Sequence, residues 1–229
     1  MTTRRDVLAL VAAGATAPAW AAAARAFPSA TPGRDWRTTV AAQPDGATLV
    51  GNPAAAIKLE EWLSYTCPHC AHFTAEAEET LEAAIAAGRL SATFHPAVRD
   101  GFDMAATLLA TNAGPRFLAV HKGIYAQQAA WAGRAGTLDR AALAKLAPPQ
   151  QLRRVADGIG LTAIVQGLGV PKPTIDTAFV PARIQRIADA TKASWAAITG
   201  TPTFAVNGTR VSGSDWAALK PALAAAGLS

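Results

Sequence analysis

The chain has 229 residues, a formal net charge of +5 at pH 7, and 51% hydrophobic residues. This length suits one domain or one domain with an insertion, and the apolar fraction is sufficient for a well-formed core. The positive charge is small and scattered, with no run of lysine or arginine longer than two, so it does not suggest nucleic-acid binding.

Residues 1–26 have the pattern of an export signal. Arg4 and Arg5 precede a weakly hydrophobic, alanine-rich stretch that ends in small residues with A-x-A cleavage sites. The arginine pair and the low hydrophobicity resemble a twin-arginine signal. An uncleaved membrane anchor is the alternative interpretation. Export predicts a periplasmic protein, in an oxidising compartment where a disulfide persists.

Residues 27–46 are rich in proline, glycine and polar groups and predict a linker. The next segment, residues 47–100, predicts strand, strand, helix and strand, which contains a βαβ unit. The expected strands cover residues 47–51, 56–63 and 89–95, and the expected helix covers residues 71–87.

Residues 101–199 predict a helical insertion, because alanine-rich helical periodicity dominates there and no strand pattern is present. The main expected helices cover 102–112, 116–130, 138–146 and 181–198. Strand patterns return in residues 200–229, where Asn207-Gly208 predicts a hairpin and Ser214 is the expected N-cap of a last helix. The predicted fold class is therefore α/β, with a central mixed sheet flanked by helices and interrupted by an all-helical insertion.

The chain has two cysteines, which lie three residues apart in the sequence Cys67-Pro68-His69-Cys70. At this spacing the two thiols can form a disulfide with each other and open it again. The preceding strand and the following helix give the strand, C-x-x-C, helix layout that is typical of a thioredoxin-like redox site.

The reactive form of such a cysteine is its thiolate, so features that lower the pKa of Cys67 matter. Cys67 precedes a helix, where free N–H groups face the sulfur, and Pro68 suits the first helical position. The helix dipole alone lowers the pKa by about one to two units at most. We therefore expect protonated His69 and hydrogen bonds to the sulfur to supply the rest. Cys67 is expected to be the exposed sulfur and Cys70 the inner one.

Other interpretations of this pair remain open. The two cysteines could form a static disulfide, or they could bind zinc together with His69 or His72, although no second pair of ligands is present. A c-type haem requires histidine directly after the second cysteine, where this chain has Ala71. No cofactor and no metal are expected.

Three further sequence segments accompany the helical insertion: residues 61–70 (EWLSYTCPHC), 94–95 (FH) and 200–208 (GTPTFAVNG). In these segments, and over roughly residues 45–226, the chain resembles the DsbA family of periplasmic thiol–disulfide oxidoreductases.

The resemblance implies that the Thr201-Pro202 peptide is cis, faces the cysteines and binds the substrate backbone. It also implies that Glu61 is a buried acid that exchanges a proton with Cys70; a solvated strand carboxylate is the alternative. Known members have a lysine where this chain has Thr93, so a buried pair of Glu61 with lysine is not expected.

Further polar residues have structural interpretations. His72, His95 and His121 are expected to be structural or exposed. The segment from Gln127 to Trp131 could line a substrate groove, but a packed helix end is the favoured interpretation.

The leading hypothesis is a monomeric dithiol oxidase that introduces disulfides into newly exported proteins and passes electrons to a DsbB-like, quinone-linked membrane partner. A disulfide isomerase or reductase, kept reduced by a membrane donor, is the alternative within the enzymes. A non-enzymatic binding protein or chaperone is the alternative from another class.

Overall fold

The computed structural model describes residues 34–228, so the predicted export signal and the first part of the predicted linker lie outside the described residues. A six-stranded mixed sheet forms the centre of the described chain, in the order β1-β2-β4-β3-β5-β6. The strands are β1 (Val40–Ala42), β2 (Thr48–Gly51), β3 (Ile57–Leu63), β4 (Leu90–Pro96), β5 (Thr203–Val206) and β6 (Thr209–Arg210).

Ten α-helices accompany the sheet within residues 34–228. They are α1 (Pro68–Ala86), α2 (Gly101–Thr111), α3 (Phe117–Ala126), α4 (Gln128–Gly133), α5 (Arg140–Leu143), α6 (Pro148–Gly158), α7 (Leu161–Gly167), α8 (Lys172–Asp176), α9 (Pro181–Ala197) and α10 (Trp216–Ala225). None of the helices in the described chain is both long enough and apolar enough to cross a membrane.

Strand β3 is central because it has a neighbour on each side. It runs parallel to β4 and antiparallel to β5, and Glu61 lies opposite Phe94 on one side and Phe204 on the other. A parallel pair needs a crossover connection, and α1 supplies it between β3 and β4. The predicted βαβ unit is thereby confirmed.

Helix α1 packs its apolar side on the sheet and ends before Gly88. Gly88 has a φ of +70°, a conformation that glycine adopts without strain. A Cβ at this position would lie 2.7 Å from the indole nitrogen of Trp36. Glycine therefore both ends the helix and allows the N-terminal segment to pack on it.

The predicted linker over residues 27–46 is wrong in its described part. Residues Trp36–Thr38 form a 3-10 helix that Asp35 caps, and β1 pairs with β2 through Val40 and Val50. A three-residue edge strand that is half exposed has no apolar alternation to identify it.

Helices α2 to α9 fill the interval between β4 and β5; we call them the helical insertion. Their buried side chains form one continuous core with those of the sheet and α1. The α/β fold class, with a thioredoxin-like mixed sheet and an inserted helical region, is confirmed.

Three predicted helices have different bounds in the structure. The helix expected over 116–130 is broken at Gln127 into α3 and α4, and that expected over 138–146 shortens to α5. The N-cap of α10 is Asp215 and not Ser214, because the Asp215 carboxylate accepts a hydrogen bond from the Ala218 N–H.

Candidate active site

The two cysteines lie where β3 gives way to α1. Cys67 is the N-cap of α1, and Pro68 occupies its first turn. Both thiols are free, and Cys67 is 4% exposed whereas Cys70 is 0% exposed. The expected order, with Cys70 inside, is therefore found, but Cys67 is itself largely covered.

The loop before β5, which contains Thr201 and Pro202, lies against Cys67. The Thr201–Pro202 peptide is cis, as the resemblance implied. The Cys67 thiol donates a hydrogen bond to the Thr201 carbonyl oxygen at 3.2 Å, across 134 positions of the chain. The fold thus brings the C-x-x-C pair and the Thr201-Pro202 loop into direct contact.

Hydrogen bonds lower the pKa of Cys67 from 9.0 to about 5. The largest contribution is the hydrogen bond with the Cys70 thiol; burial opposes it, and the Thr201 hydroxyl adds a further hydrogen bond. Backbone N–H groups of Cys70 and His69 complete the set. A pKa of about 5 leaves about one hundred thiolates for each thiol at pH 7.

The His69 side chain is exposed, and its imidazole is absent from the groups that lower the pKa of Cys67. His69 contributes through its backbone N–H, which points at the sulfur from the first turn of α1. The helix N–H groups and the hydrogen bonds to the sulfur that were expected from the sequence are therefore found, whereas the expected contribution of the His69 imidazole is not among the causes.

The pKa of Cys70 is raised well above its ordinary value, mainly because burial disfavours its thiolate. The hydrogen bond with Cys67 and the charge on Cys67 act in the same direction. A hydrogen bond from the backbone N–H of Ser64 opposes this effect and stabilises the Cys70 thiolate. The environment therefore favours a thiolate at Cys67 and a thiol at Cys70.

Glu61 lies within β3 and is 2% exposed. Burial raises its pKa to about 8, and its Oε1 atom has no hydrogen-bond partner among the described residues. Thr93, which stands where known members have lysine, is paired with Glu60 and not with Glu61 in the sheet register. Glu61 is close enough to Cys70 for its charge to raise the pKa of that thiol.

Glu61 borders a cavity of about 40 Å³ between the sheet, α1 and α3. His121 also lines it; burial lowers the pKa of His121 to about 3, so the imidazole is neutral at pH 7. The half-buried Lys122 lies at the cavity and forms an ion pair with Glu82 at 3.2 Å. The cavity therefore extends from the buried Glu61 carboxyl to charged groups near the surface.

Asp103 and Gln128 of the helical insertion both contact the active-site loop, residues 64–67, and neither was assigned to the site from the sequence. Asp103 on α2 accepts a hydrogen bond from the Tyr65 N–H at 2.8 Å. Gln128, interpreted as part of a packed helix end, donates to the carbonyl oxygens of Tyr65 and Cys67. The only signal for Asp103 in the sequence is a carboxylate on the apolar side of a helix.

The family model described as Thioredoxin (Thioredoxin_4) matches residues 43–225. Among solved structures, a protein-disulfide isomerase from Novosphingobium aromaticivorans is 30% identical with a TM-score of 0.68, and the match covers 79% of this chain and 97% of that one.

Two further structures share the fold at lower identity. MdbA, a thiol-disulfide oxidoreductase from Corynebacterium diphtheriae, is 13% identical with a TM-score of 0.54, over 74% of this chain and 86% of that one. The α-DsbA1 of Wolbachia pipientis is 18% identical with a TM-score of 0.55, over 83% of this chain and 94% of that one. A search of curated proteins gave no match.

Proposed function

We propose that this chain, which belongs to the Thioredoxin_4 family of DsbA-like thiol–disulfide oxidoreductases, is a dithiol oxidase. It would introduce disulfides into exported proteins through Cys67 and Cys70. Membership makes the chain an enzyme of thiol–disulfide exchange. The non-enzymatic chaperone alternative is therefore set aside. The observation that carries the direction is the lowered pKa of Cys67, about 5.

The reaction has two exchange steps. In the oxidised enzyme, a substrate thiolate attacks the Cys67 sulfur; a new S–S bond forms, the Cys67–Cys70 bond breaks, and Cys70 leaves as a thiolate. A second substrate thiolate then attacks the substrate sulfur of this mixed disulfide, and Cys67 leaves as a thiolate. The substrate has lost two electrons and gained a disulfide, and the enzyme holds the reduced pair.

The site favours this direction because it stabilises the reduced enzyme. A thiolate with a low pKa is a good leaving group in the second step, and it gains little from re-forming a disulfide. The stabilising groups are fixed by the fold, since they come from the first turn of α1 and from Thr201. These groups are in place whether or not a substrate is bound.

Glu61 is suited to supply the proton that Cys70 takes up when it leaves. A carboxyl with a pKa of about 8 is protonated at pH 7 and can give that proton to a stronger base. The proton would be replaced through the cavity that Glu61 borders, which Lys122 also lines near the surface.

The Thr201-Pro202 loop is suited to bind the substrate chain. It lies directly against the Cys67 sulfur. Proline at position 202 has no N–H, and the loop leads into β5 at one side of the central strand. An extended substrate could align along the backbone of Thr201 and present its thiol to Cys67.

An isomerase or reductase kept reduced by a membrane donor is the second candidate. It is favoured by the name of the 30% identical neighbour, a protein-disulfide isomerase. The two candidates differ in which form of the Cys67–Cys70 pair is maintained in the cell.

The proposed location is the periplasm, supported by the twin-arginine-like signal in residues 1–26. The substrates would be newly exported proteins with free thiols. A DsbB-like membrane oxidase would reoxidise the pair, and the enzyme would act as a monomer.

The test is the reduction potential of the Cys67–Cys70 pair, measured at equilibrium with glutathione. An oxidase should have a potential well above that of thioredoxin, toward the value of about −120 mV that DsbA shows. The oxidised enzyme should also restore activity to a reduced, unfolded substrate, and Cys67→Ser should abolish this. A potential near about −270 mV would show that the protein is a reductant.

A further inference from the structure

The active-site loop, residues 64–67, is hydrogen-bonded to the buried carboxylate of Asp103 in the helical insertion. Asp103 is 0% exposed and accepts hydrogen bonds from the Ser64 hydroxyl at 2.6 Å and from the Tyr65 N–H at 2.8 Å. A third comes from the Arg99 N–H at 3.0 Å, in the segment between β4 and α2. One side chain thus ties the loop before Cys67 to the start of the insertion.

Two neighbouring side chains hold the carbonyl groups of the same loop. The Tyr125 hydroxyl donates to the Ser64 carbonyl oxygen at 3.0 Å. The Gln128 amide donates to the carbonyl oxygens of Tyr65 and Cys67, at 2.7 and 3.0 Å. Tyr125 and Gln128 donate to carbonyl oxygens of the loop, and Asp103 accepts from its N–H and hydroxyl groups. The insertion therefore binds both the acceptors and the donors of the loop.

The hydrogen bonds to this loop affect the Cys70 sulfur through one backbone group, the N–H of Ser64. The Ser64 N–H donates a hydrogen bond that stabilises the thiolate of Cys70. Cys70 is the leaving group when a substrate thiolate attacks the Cys67–Cys70 disulfide. A donor already fixed at the position of developing charge lowers the barrier, because it needs no reorganisation during the reaction.

We propose that Asp103 is a positioning residue for thiol–disulfide exchange, which holds Ser64 so that its N–H stabilises the Cys70 thiolate as it leaves. The inference rests on the proposed roles of Cys67 and Cys70. Asp103 touches neither sulfur and acts through the hydroxyl of Ser64 and the N–H of Tyr65.

The chemical nature of the side chain supports this role. Burial raises the pKa of Asp103 to about 6, and hydrogen bonds from Ser64, Tyr65 and Arg99 oppose that rise. A buried carboxylate is therefore costly for folding, and an amide of the same shape could not accept from all three donors. The Thr107 hydroxyl adds a fourth, longer hydrogen bond to Asp103 at 3.5 Å. The two oxygens of a carboxylate can accept from all of these donors.

The test compares Asp103→Asn with Asp100→Asn. Asp100 is the exposed N-cap of the same helix, and asparagine caps helices about as well as aspartate. Each oxidised protein is mixed with glutathione at 25 °C, and the released thiols are alkylated and counted over time. We expect Asp103→Asn to slow the release about five- to tenfold, because one backbone N–H loses its acceptor. Asp100→Asn should react at the wild-type rate.

Absorbance titration of the Cys67 thiolate shows whether Asp103→Asn disturbs the whole active site or only the exchange step. The groups that lower the pKa of Cys67 do not include Asp103, so the titration should stay unchanged while exchange slows. A purely structural role predicts a lower melting temperature with a normal exchange rate for the folded protein. A wild-type rate in Asp103→Asn would overturn the proposal.

Ser64→Ala gives a second test that keeps the carboxylate, in case Asp103→Asn does not fold. It removes the hydroxyl that donates to Asp103 and that also contacts the Thr66 hydroxyl at 3.2 Å. We expect about two- to fivefold slower exchange. The matched control is Ser91→Ala, since the buried Ser91 hydroxyl has no partner among the described residues. Equal rates in these two variants would overturn the proposal. Because the assay measures exchange rate, it remains decisive even if the potential shows the protein to be a reductant.

Discussion

Replacing Thr201 by valine removes the hydroxyl that donates to the Cys67 sulfur and leaves the shape of the side chain nearly unchanged. The Thr201 carbonyl oxygen, which accepts a hydrogen bond from the Cys67 thiol, stays in place. The variant therefore loses a group that favours the thiolate and keeps one that favours the thiol. The loss of the hydroxyl should therefore raise the pKa of Cys67.

The expected size follows from the strength of one hydrogen bond. A hydrogen bond to a charged group contributes about 1.5–3 kcal/mol, and one pKa unit corresponds to about 1.4 kcal/mol. The pKa of Cys67, about 5 in the wild type, should therefore rise by about one to two units. Less stabilisation of the thiolate at pH 7 should make the reduction potential about 30–50 mV more negative.

The assay is the absorbance of the thiolate in the reduced protein between pH 3 and pH 9, together with the glutathione equilibrium. Thr209→Val is the matched control, since Thr209 is exposed on β6 in the same hairpin and faces no sulfur. A pKa in Thr201→Val that stays within about 0.3 units of the control would refute the reasoning. In that case Cys70 and the backbone N–H groups would account for the lowered pKa without the hydroxyl.

Three further predictions concern the same site. His69→Leu keeps the backbone N–H that faces Cys67, so the pKa of Cys67 should rise less than in Thr201→Val. A rise of about one unit or more in the same titration would show that the imidazole is a principal cause of the low pKa. Glu61 has its pKa raised from 4.5 to about 8, so its contribution to stability is present below pH 4.5 and is lost as pH rises through 8. Urea unfolding should therefore show Glu61→Gln gaining about 2–4 kcal/mol over the wild type between pH 5 and pH 8, and a constant difference would contradict the raised pKa. Cys67 has its pKa lowered from 9.0 to about 5, so its contribution in the reduced protein is present above pH 9 and is lost as pH falls through 5. Relative to Cys67→Ser, the reduced wild type should lose about 1–3 kcal/mol of stability from pH 8 to pH 5, after allowance for solvent screening, and equal pH profiles would contradict it.

Features with a local signal could be predicted from the sequence. The apolar run of β3, the proline at the start of α1 and the glycine after its end lie next to the structure that they specify. The Asn207-Gly208 turn likewise predicts the hairpin of β5 and β6, and both residues have the positive φ that such a turn requires.

Features that depend on distant partners could not be predicted in this way. Strand β1 is defined by its pairing with β2, and its own three residues have no strand pattern. The break at Gln127 turns α4 so that Gln128 reaches the carbonyl of Cys67, 61 positions away. Such contacts have no short-range periodicity, because the two partners are brought together only by the completed fold.

The reactivity of Cys67 shows how this limit affects function. From the sequence, the helix start, the charge of His69 and hydrogen bonds to the sulfur were expected to lower its pKa. In the structure, Cys70, Thr201 and the backbone N–H groups of the first turn of α1 do so, without the imidazole. Thr201 comes from the loop before β5, and Asp103 of the helical insertion holds the loop before Cys67. Both residues lie far along the chain from Cys67, in the interval between β4 and β5. We therefore expect a substitution at position 103 or 201 to change the exchange reaction without changing any residue between Cys67 and Cys70.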